Sequence, residues 1–200
     1  MHLKGLYCSA LVLFLFFFQP VTCIKVCAVD LKFAEAGDPP KSIEIETEYL
    51  WPIHANREID TVSLNVFYGK EPALDKSCSF YYGVTLTNAT GTITYQYPHR
   101  ESSAFGVGPV MLLRYAPYQG EKLSVSIDGS GGLIFYNKEF PAGGDFYNFM
   151  WRFGPKLIYR FSDRGSITFG YKWMHVSNGQ HDHNPSYDAD GFSLGMAFRF

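Results

Sequence analysis

At 200 residues the chain has room for a single domain. Apolar residues make up 46% of it and aromatic residues 18%, enough for a large packed or lipid-facing surface. A formal charge of -2 with mixed signs gives no basis for a nucleic-acid partner or a basic membrane-binding patch.

The chain opens with Lys4 ahead of the apolar run Leu11-Val12-Leu13-Phe14-Leu15-Phe16-Phe17-Phe18, followed by Gln19-Pro20. Such a run is too short to span a bilayer as a helix but suits the core of a secretory signal. Val26 and Ala28 supply the small residues of a cleavage site, so residues 1–28 are assigned to a signal peptide and residues 29–200 to the mature domain. Cleavage there removes Cys8, Cys23 and Cys27 and leaves Cys78 alone, which argues against a disulfide framework. Pro20-Val21-Thr22 is a poor lipidation context for Cys23.

Beyond residue 40 apolar side chains recur with period two between turn residues, the pattern of antiparallel sheet. Eight strands are expected, over 43–51, 61–69, 80–87, 104–116, 122–136, 147–161, 166–178 and 190–200. Each sorts into two faces. The first opposes Ile43, Ile45, Tyr49 and Trp51 to Glu44, Glu46 and Glu48. The fourth sets Phe105, Val107, Met111, Leu113 and Tyr115 against Ala104, Gly106, Gly108 and Arg114. The sixth sets Phe149, Trp151, Phe153, Leu157, Tyr159 and Phe161 against Asn148, Arg152, Lys156 and Arg160. One face is bulky and apolar, the other small, polar or charged. A soluble barrel needs its bulky side chains inside, whereas a membrane barrel turns them to lipid and fills a narrow lumen with small and charged residues. The fold class expected is therefore all-β, an eight-stranded antiparallel transmembrane β-barrel. The glutamates of its first strand are placed to pair across the lumen with Arg152, Lys156 and Arg160. Short turns at Pro117–Gly120 and Ser162–Gly165 fall on one side, and longer loops at 52–60, 88–103, 137–146 and 179–189 on the other, the asymmetry of periplasmic turns and outer loops. Residues 70–79 make a long connection on the periplasmic side that this pattern does not explain. Gly129, Gly131 and Gly132 lie within a strand and are read as bulge or lumen-packing positions.

On the seventh strand Ile167, Phe169, Tyr171, Trp173, His175 and Ser177 share one side, so a histidine and a serine continue the apolar face. Ten residues from Ile167 span about 33 Å at the usual rise, roughly 25 Å of height once tilted, which places the pair at the outer rim. Asp188 and Asp190 share the parity of Phe192 and Leu194 on the last strand, so either aspartate can join them. A hydroxyl, an imidazole and a carboxylate on one patch form the constellation for nucleophilic acyl transfer. Asn178, Asn184 or the backbone around Gly179 are oxyanion candidates. His181 and His183 flank Asp182 without a fixed metal-ligand spacing, and a solvated loop is the reading adopted.

The segment Tyr171-Lys172-Trp173-Met174-His175-Val176-Ser177-Asn178, followed by Asn184-Pro185 and a closing strand to Phe200, resembles the outer-membrane lipid A 3-O-deacylases of the PagL family. The resemblance implies an eight-stranded barrel with a His-x-Ser-Asn motif on the penultimate strand, an acidic residue opening the last strand and a terminal aromatic for assembly. By position it makes Ser177 the nucleophile, His175 the base, and Asn178 and Asn184 oxyanion contacts. The acid departs from the pattern, because the matching position holds Asp188, one methylene shorter than the glutamate of the family's best-known member, with Asp190 as the rival. The implied reaction is hydrolysis of the ester at the 3-position of lipid A, with no metal or other cofactor, on a substrate delivered by the outer membrane itself. The resemblance leaves a homodimer open. The competing readings are a non-catalytic structural or adhesive outer-membrane barrel and a soluble secreted barrel that binds a lipid inside.

Overall fold

The computed structural model describes residues 40–70, 77–94, 100–179 and 184–200. The signal-peptide expectation over residues 1–28 lies outside them, as do His181, Asp182, His183 and most of the connection at 70–79.

Every long element is a strand. In chain order they are β1 (Lys41–Pro52), β2 (Arg57–Lys70), β3 (Cys78–Ile93), a two-residue β4 (Arg100–Glu101), β5 (Ala104–Gln119), β6 (Leu123–Tyr136), β7 (Tyr147–Arg160), β8 (Gly165–Ser177) and β9 (Tyr187–Arg199). Each long strand pairs antiparallel with the long strand before it and the one after it, and β1 pairs with β9, which closes an eight-stranded barrel. Closure matters because an open edge leaves backbone N–H and C=O groups unpaired, and hydrocarbon offers them no water.

Alternation sets the faces as expected. Tyr82, Phe153, Phe192 and Leu194 project outward and are exposed, while Glu44, Glu46, Glu48, Arg114, Asp128, Arg152, Lys156 and Lys172 are buried inside. An apolar exterior around a charged interior excludes the soluble lipid carrier, whose charges belong outside. Inside, four carboxylates meet four cations. Lys156 Nζ lies 2.7 Å from Glu44 Oε1, 2.6 Å from Glu46 Oε2 and 2.9 Å from Asp128 Oδ2. Arg152 Nε contacts Glu48 Oε1 at 2.6 Å, and Arg114 reaches Glu44 and Asp128, each at 2.9 Å. Lys172 binds Glu46 and Glu48. Two of the three expected cross-lumen cations are thus engaged. Arg160 is not: it sits at the rim and donates to the Glu121 carbonyl at 3.1 Å. Gly154 lies between Arg152 and Lys156, where an added Cβ would stand 2.0 Å from the Tyr171 carbonyl oxygen, so the lumen wall has no room for a side chain there.

The polar interior does not run the full height. Leu50, Ile59, Ile134, Tyr136, Phe140, Met150, Met174, Val176 and Tyr187 form an apolar plug at one end. Phe140, from the loop between β6 and β7, fills its centre, with ring centroids 4.6 Å from Tyr136 and 5.7 Å from Tyr187. A smaller cluster of Phe67, Tyr81, Val110 and Leu112 lies apart from it.

Several boundaries move. β2 begins at Arg57 rather than 61, β3 continues to Ile93 rather than 87, and β9 begins at Tyr187 rather than 190. The first two extend together because Arg57–Asp60 and Thr90–Ile93 pair with each other, continuing the ladder through polar residues that resemble a loop. The first outer connection shrinks to residues 53–56. Pro117 does not start a turn. It lies in β5 where the register shifts between Tyr115 and Tyr118, a bulge, in which a residue lacking an N–H costs no ladder bond. Gly129 and Gly132, in contrast, sit in continuous register with β7, so no bulge forms there.

Removing the hub of the lumen network should expose its cost. Lys156→Met leaves three buried carboxylates short of a partner and is expected to destabilise the barrel by about 3 kcal/mol, whereas Arg160→Met at the rim should change it by under about 0.5 kcal/mol. Urea unfolding of the refolded barrels in detergent, read by the shift between folded and unfolded bands on unheated gels, measures both.

Candidate active site

The candidate residues gather where β8 ends and β9 begins. The register pairs His175 with Asp188 directly, and both project to the outer face. Directly opposed side chains of an antiparallel pair have Cβ atoms about 5 Å apart, a span that an aspartate and an imidazole bridge with one hydrogen bond. His175 Nδ1 and Asp188 Oδ1 are 2.7 Å apart. The carboxylate accepts, so Nδ1 carries the hydrogen.

Asp190 is placed differently. It pairs with Trp173 rather than His175, and its Oδ2 accepts a hydrogen bond from the Tyr171 hydroxyl. Of the two aspartates, Asp188 is the one joined to His175.

Ser177 is the last residue of β8, two beyond His175 on the same face, and pairs with Phe149 of β7. It is 8% exposed, a shielded hydroxyl at the rim. Among the described residues no hydrogen bond joins Ser177 to His175. Indoles wall the histidine: the Trp151 ring centroid, on the paired position of β7, is 5.7 Å away and that of Trp173 is 6.4 Å away, the two indoles meeting edge to face at 4.3 Å. They keep water from one side of the imidazole and continue the apolar band up to it.

The two asparagines hold the chain beyond β8. Asn178 is 2% exposed and donates its side-chain amide to Asp145 Oδ2 at 2.7 Å, tying β8 to the loop between β6 and β7. Its backbone N–H donates to Asn184 Oδ1 at 3.2 Å, and the Asn184 side-chain amide donates to the Gly179 carbonyl. Gly179 has φ +84°, left-handed backbone that lets the chain leave the strand immediately after Asn178. Both amides thus have anchoring roles that sequence spacing does not convey. Among the described residues no group of three or more His, Cys, Asp and Glu is arranged as a metal site.

Two neighbours escaped the sequence argument. Trp151 has the right parity but meets His175 only through the β7–β8 register. His54, in the connection from β1 to β2, places Nε2 3.3 Å from Asp188 Oδ2, and nothing in the spacing of residues 54 and 188 announces that contact.

Comparison with curated protein sequences finds no match. Among solved structures, the chain is similar to the crystal structure of the outer membrane enzyme PagL, at 16% identity and a TM-score of 0.51, covering 78% of this chain and 99% of that one. Neisserial surface protein A is similar at 11% identity and a TM-score of 0.52, over 80% and 97% of the two chains. OprG of Pseudomonas aeruginosa is similar at 10% identity and a TM-score of 0.51, over 82% and 97%. These likenesses establish an outer-membrane β-barrel fold. The family model described as lipid A 3-O-deacylase (PagL) matches residues 62–197, a span that contains His175, Ser177 and Asp188, and with it the chain belongs to the PagL family of lipid A deacylases.

Proposed function

We propose that the protein hydrolyses the ester-linked acyl chain at the 3-position of lipid A in the outer leaflet, with Ser177 as nucleophile, His175 as general base and Asp188 as the acid of the triad. The observation that carries this reading is the 2.7 Å hydrogen bond between His175 and Asp188 on the lipid-facing rim, with Ser177 two residues beyond His175 on the same face. A carboxylate on Nδ1 fixes the tautomer whose Nε2 accepts a proton, and stabilises the imidazolium that results.

In this mechanism Ser177 Oγ attacks the ester carbonyl carbon as its proton passes to His175 Nε2. The tetrahedral intermediate collapses, the sugar 3-oxygen leaves with that proton, and the acyl chain stays on Ser177. Water then adds to the acyl-serine, giving its proton to His175, and the second collapse returns the proton to Ser177 Oγ and frees the fatty acid. Because Asn178 and Asn184 are both engaged in holding the β8–β9 connection, their service as oxyanion donors rests on N–H groups turning toward the substrate when it binds. The outward-facing site requires no channel: an acyl chain lying in the outer leaflet runs along the same apolar face that carries Trp151 and Phe149.

Ser177→Ala and His175→Ala should both fold, retain the folded band on unheated gels, and leave lipid A fully acylated, with a loss of at least about 10³-fold in rate. Mass spectrometry of lipid A from cells expressing each variant makes the comparison. Continued release of the 3-linked chain by Ser177→Ala would sink the mechanism, and release from another position would change the substrate assignment.

The acid is tested separately. Asp188→Asn should reduce the rate by about 10³-fold, by failing to hold the required tautomer, whereas Asp190→Asn should stay within about threefold of wild type. Initial rates on purified lipid A in detergent decide between them. The reverse order would transfer the role to Asp190.

A further inference from the structure

The Asp188 carboxylate has two oxygens, and each meets a different histidine. Oδ1 faces His175 across the β8–β9 pair, and Oδ2 faces His54 Nε2 at 3.3 Å from the other side. The second contact is built by barrel closure. β1 pairs with β9 as far as Pro52 and Ala189, and the next residue, Ile53, donates its N–H to the Asp188 carbonyl at 3.2 Å. The chain then turns, with Arg57 N–H donating to the His54 carbonyl at 3.0 Å, which fixes His54 over the start of β9. A backbone bond and a side-chain contact therefore grip the same residue from the same connection.

We propose that His54 is a positioning residue for the reaction: by holding Asp188 Oδ2 it locks the carboxylate in the rotamer that serves His175. The proposal rests on the deacylase reading of the same site. Asp188 is the second residue of β9, at a strand end on the outer face, and its partners are the two histidines that meet its two oxygens. With one oxygen held, the carboxylate can rotate and swap or lose its bond to the imidazole. With both held from opposite sides it cannot, and the tautomer of His175 is maintained through each cycle. The half-exposed His54 contributes little to folding, since an exposed polar contact between side chains is worth little, so its effect belongs in the rate.

The full-length protein, refolded in detergent and assayed on purified lipid A, tests this. His54→Ala should lower kcat about tenfold with KM unchanged, the size expected for a lost hydrogen bond to a charged group. His54→Gln, whose amide nitrogen lies as many bonds from Cβ as His Nε2 does, should restore most of the rate, and the shorter His54→Asn should not. In the Asp188→Asn background, His54→Ala should cost nothing further, because there is no longer a carboxylate to position. A rise in KM at constant kcat, equal losses in the Gln and Asn variants, full additivity with Asp188→Asn, or no loss at all would each overturn the proposal. Ser177→Ala, run in parallel, separates the two levels. If it keeps activity the deacylase mechanism fails, and if it is inactive while His54→Ala is not, only the role of His54 fails.

Discussion

The three glutamates of β1 bear the constraint on which the barrel depends. A closed sheet eliminates edges but leaves a lumen lined, among the described residues, by eight buried charged side chains. Each of those charges carries a large desolvation penalty that only close, multiple partners offset. Glu44, Glu46 and Glu48 face the middle of the lumen from one strand and are met by cations from β5, β7 and β8, so the strand that must find β9 to close the barrel also carries three of the four carboxylates paired there. Among the described residues, the four buried cations balance the four buried carboxylates. Closure and lumen chemistry are therefore one event: a β1 displaced by one residue would present its glutamates to lipid and its isoleucines and Tyr49 to the lumen.

From that register the site follows. Fixing β1 on β9 sets the height at which the β1–β2 connection crosses the rim, and fixing β9 on β8 sets Asp188 opposite His175. The apolar plug supports the same end from within. Phe140, Tyr136 and Tyr187 pack beneath the strands whose outer faces carry His175, Ser177 and Asp188, and the Asn148 amide donates to the Phe140 carbonyl at 2.6 Å, pinning the loop that also supplies Asp145 to Asn178. Polar groups that turn toward lipid at a barrel rim are thus held by an interior that is locally dry, a stiffer support than a water-filled channel mouth gives.

The parts of this arrangement visible in the sequence are those governed by period two. Alternation alone separated Tyr49 from Glu48 and Trp173 from Lys172, and it placed His175 and Ser177 on the apolar face, because a strand allows no other distribution. What alternation cannot supply is which residue faces which across a pair. Asp188 and Asp190 have identical parity, and only the length and path of the chain between Ser177 and Tyr187 determine which one meets His175. His54 is hidden for a stronger reason, since its contact with Asp188 needs the closing pair between the first and last strands, the most distant pairing in the chain. The lumen was legible in kind but not in extent. Arg152 and Lys156 stand at the height of the glutamates while Arg160, with the same parity, is four residues further along and reaches only the rim. Loop residues were least legible, and Phe140 occupies the centre of the plug without any periodic pattern to mark it.

The shorter acid and the second histidine belong together. A glutamate has an extra torsion and reaches an imidazole from a range of backbone positions, so its carboxylate can be set by packing along its own methylenes. An aspartate has no such latitude. It must sit directly opposite the histidine, as the pairing of His175 with Asp188 provides, and its carboxylate must be oriented by groups that touch the oxygens themselves. On the inner side of a barrel, neighbouring cations would perform that service, as they do for Asp128 with Arg114 and Lys156. On the outer face no lumen cation of the described residues is within reach, and in the proposed mechanism a fixed positive charge beside the carboxylate would weaken its hold on a developing imidazolium. In the proposed positioning role, an imidazole N–H orients Oδ2 without the fixed charge that a lysine or arginine would bring to the same place.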